Sequence, residues 1–289
     1  MSVLMDKASQ TRITQHRLAL LVTLALLGSI IAYNLTTMRQ QVVGQEQQRL
    51  LAQARMIGKN IERQLESSSL ALQGLAADQP LMCKQENLQR ANKRLRVLAD
   101  AMPGVRTLFL TDAKGTILTA NRPELIGRNI AARQYFREPQ QHHNPATLYI
   151  SPPFKSVLNA YVFNITRMIP GPDGRFNGIA TAGIDPDYFE TILQSTLYAP
   201  DMWNTINHGD GLRFMTMPHR EGQQGKSLAV KGSMFTRHME SGRQENSYTD
   251  TAYATGEHRM AALLTLHPPG LRMDKPLVII ISRSPNAIL

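Results

Sequence analysis

The feature that most constrains this chain is an uncharged apolar run close to its N-terminus. Residues 18–35 read LALLVTLALLGSIIAYNL. A helix of that length rises about 27 Å, which is close to the hydrocarbon thickness of a bilayer. The run therefore predicts a transmembrane helix over 18–35. A cleaved signal peptide is the alternative, but the run is long for such a peptide and no small-residue cleavage site follows it.

The distribution of basic residues around this run predicts its orientation. Lys7, Arg12 and Arg17 precede the run, whereas only Arg39 follows it closely. Because basic residues accumulate on the cytoplasmic side of a span, residues 1–17 are expected in the cytoplasm. The later apolar stretch at 276–281 is too short to cross a membrane and is typical of a buried strand. We therefore expect a single-pass protein of the inner (plasma) membrane, with the bulk of the chain periplasmic or extracellular.

Charge and cysteine content exclude several classes of function. The formal net charge is +10, but the basic residues are scattered and form no dense run, so no nucleic-acid partner is expected. A solvated basic surface accounts for the charge, and an anionic ligand or lipid is the alternative. Cys83 is the single cysteine, which rules out an internal disulfide and a zinc ribbon.

The sequence contains no pattern that indicates catalysis. His142 and His143 are adjacent and have no third ligand nearby, which is typical of surface histidines and not of a metal site. The triplet at 225–227 reads Gly-Lys-Ser but lacks the first glycine of a phosphate-binding loop. No serine lies in a nucleophile-elbow context. We therefore expect no enzyme activity, no metal and no cofactor.

Two helices are expected after the membrane segment, within a stalk region at 36–102. From Arg39 to Ala77 apolar residues recur at steps of three, four and seven, which predicts a long amphipathic helix. Its stripe would pack either on a domain of the chain or on a twin helix, since Val43, Leu50 and Ile57 form only a brief heptad. Pro80 predicts a break at 78–80. A second helix is expected over 85–102.

The remainder is predicted to form two antiparallel sheets in series, which gives an α+β fold. The membrane-distal module, 103–198, holds expected strands at 105–111, 116–120, 148–151, 161–169 and 176–185, with an irregular stretch at 123–146 and a helix at 185–197. The membrane-proximal module, 199–289, holds expected strands at 204–207, 212–216, 247–254, 259–266 and 277–282. Turns rich in Asp, Gly and Pro join the paired strands.

The order and spacing of several short motifs resemble the double Cache family of extracytoplasmic sensor domains. The matching motifs are Asp112-x-x-Gly115, Leu125-Ile126-Gly127-x-Asn129, Arg133-x-Tyr135-Phe136, Ser151-Pro152, Thr166-Arg167, and Asp173-Gly174-x-Phe176-x-Gly178 running into Gly183-Ile184-Asp185. With the stalk helix and the C-terminal unit, the resemblance covers about residues 39–289. It implies two PAS-like modules in series, of which the distal one binds a small ligand.

The resemblance also implies an output domain. In this family the chain continues into a second membrane helix and a cytoplasmic diguanylate cyclase, histidine kinase or chemoreceptor. The sequence contains no Gly-Gly-Asp-Glu-Phe signature and no kinase motif. We therefore expect the input half of a receptor for signal transduction, in the style of a diguanylate cyclase or chemotaxis receptor, with the output domain missing.

Candidate ligand contacts follow from the amino-acid-binding branch of the family, whose pattern is Arg-x-Trp-Tyr, later Tyr-x-Asp, later Asp. The residues at those places are Arg133, Tyr135, Phe136, Tyr149, Ser151 and Asp185, and weaker lining candidates are Tyr161, Phe163 and Arg167. Tyr135 replaces the Trp, and Ser151 replaces the acid that would pair a ligand ammonium. The resemblance thus implies capture of a carboxylate by Arg133 more than recognition of an amino acid.

A structural explanation for these residues stays open, as does a second function. Arg133 could bond backbone carbonyls, Tyr135 and Phe136 could belong to the core, and Asp185 could cap a helix. The alternative function is a non-catalytic interaction module that binds a partner protein or an anionic membrane surface. For the sensor we expect a small-molecule ligand, a membrane and a second copy of the chain, paired through the stalk helix, as partners.

Overall fold

A computed structural model describes residues 2–155, 161–220 and 222–288, with side chains from residue 20 onward apart from those at 85, 186 and 187. The side chains of the expected cytoplasmic segment, 1–17, therefore lie outside the described residues. The chain forms two compact units, Met1–Gln48 with Ile288–Leu289, and Arg49–Ala287.

The described chain contains five α-helices and eleven strands. The helices are α1 (Ser2–Met82), α2 (Leu88–Ala101), α3 (Gln134–His142), α4 (Pro186–Ser195) and α5 (Met234–Glu240), and short 3-10 helices lie at Gln85–Asn87, Pro123–Leu125 and Pro285–Ala287. The strands are β1 (Val105–Thr111), β2 (Ile117–Ala120), β3 (Tyr149–Ile150), β4 (Phe154–Lys155), β5 (Tyr161–Pro170), β6 (Phe176–Ile184), β7 (Trp203–His208), β8 (Arg213–Met217), β9 (Glu245–Thr251), β10 (His258–Leu266) and β11 (Leu277–Arg283).

The first unit presents apolar side chains on every face of α1. Leu20, Leu27 and Ile31 are each more than half exposed, as are most of their neighbours up to Leu35. The polar side chains in this stretch bond back to the helix: Ser29 Oγ donates to the Ala25 carbonyl at 2.8 Å. Within the described chain, this is the one helical stretch that is long and apolar enough to cross a membrane.

In the second unit α1 buries one continuous stripe, so the predicted amphipathic helix over 39–77 is confirmed. The stripe residues, each at most 1% exposed, are Leu50, Ala54, Ile57, Ile61, Leu65, Leu72 and Leu75. The stripe packs on the chain's own sheets, which decides between the two alternatives left by the sequence.

The predicted break at 78–80 is wrong, because α1 continues to Met82 with Pro80 inside it. Proline so near the helix end removes a single backbone hydrogen bond. Gln79 and Met82 are buried, and the Cys83 N–H donates to the Gln79 carbonyl at 3.0 Å. Packing of the last turn thus outweighs the local preference of the residue before a proline. The second helix, predicted over 85–102, is found as α2 after one turn of 3-10 helix.

Two antiparallel sheets follow, as predicted. The distal sheet has the order β2-β1-β6-β5-β3, with β4 also pairing with β5, and the proximal sheet has the order β8-β7-β11-β10-β9. The predicted hairpins β1–β2 and β5–β6 are confirmed by their registers.

The stretch expected to be irregular, 123–146, contains helix α3, so that prediction was wrong there. Its sequence, QYFREPQQH, is short, polar and interrupted by Pro139, which hides the helical period. Burial of Tyr135, Phe136 and Pro139 against the distal sheet stabilises it instead. The sequence analysis did not predict α5 or β4 either.

The two modules repeat one layout. In each, a hairpin is followed by a loop that folds back on it and then by a short helix, α3 or α5. The loop is held by the same contact: the Ile130 N–H donates to the Gly115 carbonyl, and the Leu228 N–H donates to the Gly211 carbonyl, both at 2.8 Å. The two glycines share a positive φ, 83° and 88°, that an L side chain rarely adopts.

Helix α1 contacts both modules through specific side chains. Arg55 on α1 donates two hydrogen bonds to Glu245 on β9, at 2.7 and 2.6 Å. Farther along, Ser69 Oγ accepts two hydrogen bonds from the Arg167 guanidinium on β5, at 3.0 and 2.6 Å, while the third nitrogen donates to the Pro145 carbonyl at 2.9 Å. Arg167, a weaker candidate for ligand binding, therefore ties the distal sheet to α1.

Gly178 on β6 provides a test of the distal sheet. Its φ is 132°, and a Cβ there would overlap the Thr111 carbonyl oxygen on β1. We expect Gly178→Ala to lower the free energy of unfolding by about 2 to 4 kcal/mol, since β1 and β6 must separate. Chemical denaturation of the full chain in detergent micelles, followed by circular dichroism, measures this change.

Gly74→Ala is the matched control, because nothing lies within 4 Å of a Cβ at this helical position. We expect it to raise the free energy of unfolding by up to about 1 kcal/mol through helix propensity. Equal midpoints for Gly178→Ala and the wild type would contradict the close approach of the two strands.

Candidate functional site

The distal module contains a cavity of about 370 Å³ between its sheet and the loop that leads into α3. Its polar lining consists of Arg106, Thr107, Arg128, Asn129, Arg133 and Asn164, and its apolar lining of Phe109, Ile117, Leu125, Ile130, Tyr135, Phe154 and Val162. The volume falls in the range of about 300 to 1,000 Å³ that is usual for small-molecule sites.

Backbone hydrogen bonds fix the loop that forms one side of the cavity. The Ile117 N–H on β2 donates to the Arg128 carbonyl at 2.9 Å, and the Arg133 N–H donates to the Ile130 carbonyl at 2.9 Å. Asn129 also stabilises this loop, because its Nδ2 donates a hydrogen bond to the Lys114 carbonyl at 2.9 Å. Arg128 and Arg133 therefore project from a rigid frame and not from a free loop.

The cavity is electropositive. Three arginines line it, and no Asp or Glu among the described residues does. Arg106 pairs with Asp185 at 3.3 Å, yet its buried Nε has no hydrogen-bond partner. The Arg133 side chain donates no hydrogen bond to any of the described residues. The alternative, in which Arg133 bonds backbone carbonyls, is therefore not observed among them. Arg128 and Arg133 are exposed and form no ion pair with a described residue, so together they favour an anionic occupant.

Tyr135 and Phe154 form the aromatic wall. Their rings stack with centroids 5.4 Å apart and an interplanar angle of 23°. Burial raises the pKa of the Tyr135 phenol to about 12, with Arg133 acting in the opposite direction. Tyr135 therefore remains a neutral phenol at physiological pH and adds no negative charge to the cavity.

Of the nine residues proposed from the sequence, Arg133 and Tyr135 line the cavity, and Asp185 touches the lining residue Arg106. Phe136 lies in the distal core, where its ring meets Phe176 edge-on at 5.3 Å. Phe163 packs edge-on against Phe214 of the proximal module, with centroids 4.5 Å apart. Tyr161, half-buried at the start of β5, is not part of the cavity wall.

Tyr149 and Ser151 lie at the junction of the two modules. They line a gap of about 20 Å³, which has room for about one water molecule. The Ser151 hydroxyl accepts the Asn164 N–H at 2.8 Å and donates to the Pro152 carbonyl at 3.0 Å. Its hydroxyl is therefore engaged within the protein. Tyr135 lines this gap as well as the cavity, so it connects the two.

The sequence analysis missed Arg106, Arg128, Asn129 and Asn164. Arg128 and Asn129 sit within or beside the Leu-Ile-Gly-x-Asn motif, which was used only to recognise the family. Arg106 breaks the apolar run of β1, which is the one local signal that it faces a polar cavity. No local pattern points to Asn164, because β5 is buried on both faces.

Comparison with known proteins decides the family. The sequence profile of the Cache domain, of the double Cache type, matches residues 34–208. The chain belongs to the Cache domain family. The resemblance seen in the sequence is therefore confirmed, together with the two-sheet fold. None of the curated proteins matches the chain in sequence.

Solved sensor domains share the fold of this Cache protein. The extracellular domain assigned to the histidine kinase rpHK1S-Z16 superposes with a TM-score of 0.73 at 21% identity, over 85% of this chain and 97% of that one. The ligand-binding domain of the Pseudomonas aeruginosa PAO1 amino acid chemoreceptor PctB, in complex with L-Gln, gives 0.60 at 16%, over 83% and 91%. The sensor domain of the V. cholerae histidine kinase DctB gives 0.55 at 13%, over 85% and 98%. Cache domains thus occur as ligand-binding sensor domains of receptors.

A half-buried carboxylate, Asp274, contacts the distal module at the junction of the two modules. Its Oδ1 accepts the Ile150 N–H of β3 at 2.7 Å. Beside it, Asp210 N–H donates to His208 Nδ1 at 3.2 Å, which leaves His208 Nε2 to donate to the Ile150 carbonyl at 3.1 Å. Ile150 is therefore held by the proximal module through both of its backbone groups.

Because of Asp274, the free energy of unfolding is expected to depend on pH. Burial raises the pKa of Asp274 from 3.8 to about 6. Between about pH 4 and pH 6 the folded state binds a proton that the unfolded chain has lost, so the contribution of Asp274 to stability is present at low pH and lost as pH rises through 6. Relative to Asp274→Asn, the wild type should gain stability as pH falls from 7 to 4.5, with a slope of at most about 1.4 kcal/mol per pH unit.

Denaturation midpoints of both proteins across this pH range measure the difference. Asp274→Asn retains an acceptor oxygen for Ile150, so it changes the titration while preserving the contact. The subtraction also removes the opposing contribution of His238, whose pKa is lowered to about 4 by burial. Parallel stability profiles for the two proteins would show that Asp274 keeps an ordinary pKa.

Proposed function

We propose that this protein is a membrane-anchored sensor whose distal cavity binds a small anion that carries at least one carboxylate. The observation that carries this proposal is the set of three arginines, Arg106, Arg128 and Arg133, around a cavity with no acidic lining residue among those described. An anion there would pair with Arg128 and Arg133, which form no ion pair with a described residue, whereas Arg106 already pairs with Asp185.

Each lining group has a distinct role in this proposal. Arg133 presents its guanidinium fork to a carboxylate, which such a fork binds in bidentate fashion. Arg106 offers its unpartnered Nε from the opposite strand β1. The stacked rings of Tyr135 and Phe154 cover the carbon skeleton. Arg128 and Asn129, which are exposed like Arg133, contribute at the entrance.

Charge balance favours an organic acid, and a dicarboxylate in particular, over an amino acid. PctB is bound to L-Gln, and an amino-acid ligand brings an ammonium group that needs an acidic partner when buried. Ser151 holds the sequence position expected for that acid, and it lines the gap at the module junction instead of the cavity. Asp185, which contacts the lining residue Arg106, already pairs with its guanidinium at 3.3 Å.

The remaining features of the receptor belong to the same proposal. Residues 18–35 span the inner membrane, 1–17 lie in the cytoplasm, and the modules at 103–198 and 199–289 lie outside. Two copies pair through the outward face of α1, where Met56 and Leu70 stay exposed although apolar. Ligand binding then alters the position of the strands against α1 and is passed to a signalling output such as a diguanylate cyclase.

Isothermal titration of the full chain in detergent micelles with sodium succinate tests the proposal. Loss of the charged hydrogen bonds in Arg133→Ala should weaken succinate binding by at least about tenfold. Arg137→Ala is the matched control, because Arg137 is an exposed residue of α3, close to Arg133 in the chain but outside the cavity. Its affinity should equal that of the wild type.

L-glutamine is the competing ligand and should bind more weakly than succinate. Tight binding of L-glutamine with no response to succinate would overturn the assignment of the ligand class. Equal affinities of Arg133→Ala and the wild type would remove Arg133 from the site. A chain that binds neither compound, nor other organic acids, would favour the interaction module instead.

A further inference from the structure

The proximal module has a second, smaller cavity of about 70 Å³ in the corresponding place of its own sheet. It lies between α5 and the strands β7, β8, β10 and β11. The lining includes Trp203 on β7, Arg213 on β8 and Arg259 on β10. In the distal module the ligand cavity likewise lies between its sheet and the segment that leads into α3.

Backbone contacts show that Arg213 occupies the position that Ile117 holds in the distal module. The Ile117 N–H donates to the Arg128 carbonyl, and the Arg213 N–H donates to the Lys226 carbonyl, both at 2.9 Å. Ile117 contributes an apolar side chain to the distal cavity. The proximal module places a guanidinium at the same point of the repeat.

Arg213 is a buried cation without an anionic partner. Its residue is 6% exposed. One terminal nitrogen donates to the neutral Gln223 Oε1 at 2.6 Å, and the Nε has no partner. No carboxylate among the described residues forms an ion pair with it. Burying a charge without a counter-charge costs several kcal/mol, so such groups are normally paired.

The neighbouring cation, Arg259, is already compensated. It donates to the Glu257 carboxylate at 2.9 Å and to Ser282 Oγ at 3.0 Å. Its guanidinium also lies 4.3 Å from the ring centroid of Trp203, whose ring Arg220 approaches to 3.7 Å. Arg213 therefore carries the unbalanced charge at this cavity. Its neighbours Arg259 and Arg220 are also cations.

Most of the remaining wall is apolar. Leu228, Phe235, Ala254, Ala261 and Ile280 line the cavity. Its volume has room for a molecule of only a few heavy atoms. A cavity with one unpaired guanidinium and apolar walls is suited to a short molecule with a single anionic group and a small hydrocarbon part.

We propose that the proximal module holds a second binding site, in which the Arg213 guanidinium binds the carboxylate of a short-chain monocarboxylic acid. Ser233 and Thr205 line the same cavity, and their hydroxyl groups are engaged within the fold: Ser233 Oγ accepts the Thr236 N–H at 3.1 Å, and Thr205 Oγ1 accepts from Asn207 Nδ2 at 2.9 Å. This site differs from the distal cavity in position, size and charge. The proximal cavity is too small for a dicarboxylate of the size of succinate. The protein would then respond to two different anions.

The single tryptophan of the chain makes the site directly observable. Trp203 lines the cavity and is the only source of tryptophan emission. Sodium propionate should change the emission of the full chain in detergent micelles in a saturable manner. Sodium chloride at the same ionic strength should not, because a bare inorganic ion leaves the apolar walls unfilled. An equal response to chloride would overturn the carboxylate assignment.

Two proximal variants and one distal variant locate the response. Arg213→Gln should weaken propionate binding at least tenfold, and circular dichroism checks that the variant is folded. Ala254→Leu leaves Arg213 intact but fills the cavity, so it should abolish the response. Arg137→Ala, which changes an arginine of the distal module outside both cavities, should give the wild-type response to propionate, so that a loss of response is specific to Arg213. An unchanged propionate affinity in Arg213→Gln, or no response in the wild type, would overturn the proposal.

Discussion

One buried stripe along α1 supports both sheets. Its seven apolar side chains, from Leu50 to Leu75, are essentially inaccessible to solvent, and each large one contributes about 1.5 to 3 kcal/mol of burial. The polar contacts of Arg55 and Ser69 then fix where each sheet sits along the helix. Because both modules pack against the same helix, a displacement of either sheet changes the packing of α1.

The two cavities of the modules show how one repeated layout can hold different chemistry. The distal cavity surrounds a larger volume with three arginines, whereas the proximal cavity surrounds a small one with a single unpaired arginine. Between them, Ile150 is held by Asp274 and by His208. Tyr135 lines both the distal cavity and the gap at this junction, so an occupant of the cavity lies one side chain away from the contact between modules.

Predictions from the local sequence were correct where the residues of one short segment set the backbone conformation of that segment. The turn at Asp112 fixes the hairpin β1–β2 because its Oδ1 accepts the Thr116 N–H at 2.8 Å, and the apolar period fixes α1. The signals failed where packing outweighs local preference. Helix α1 passes through Pro80 because its last turn is buried, and α3 forms around Pro139 because Tyr135 and Phe136 reach the core.

The sequence by itself determined the apolar segment at 18–35, the long helix, the hairpins and the family, because each depends on spacing within a short stretch of chain. It also indicated Arg133 and Tyr135. Only the tertiary structure decided which arginines share a cavity. Arg106 and Arg133 meet because β1 and the loop before α3 converge on one face of the sheet, whereas Arg167, of the same chemistry, points to Ser69 on α1. That difference arises from the register and face of each strand, which residues distant in sequence set through packing.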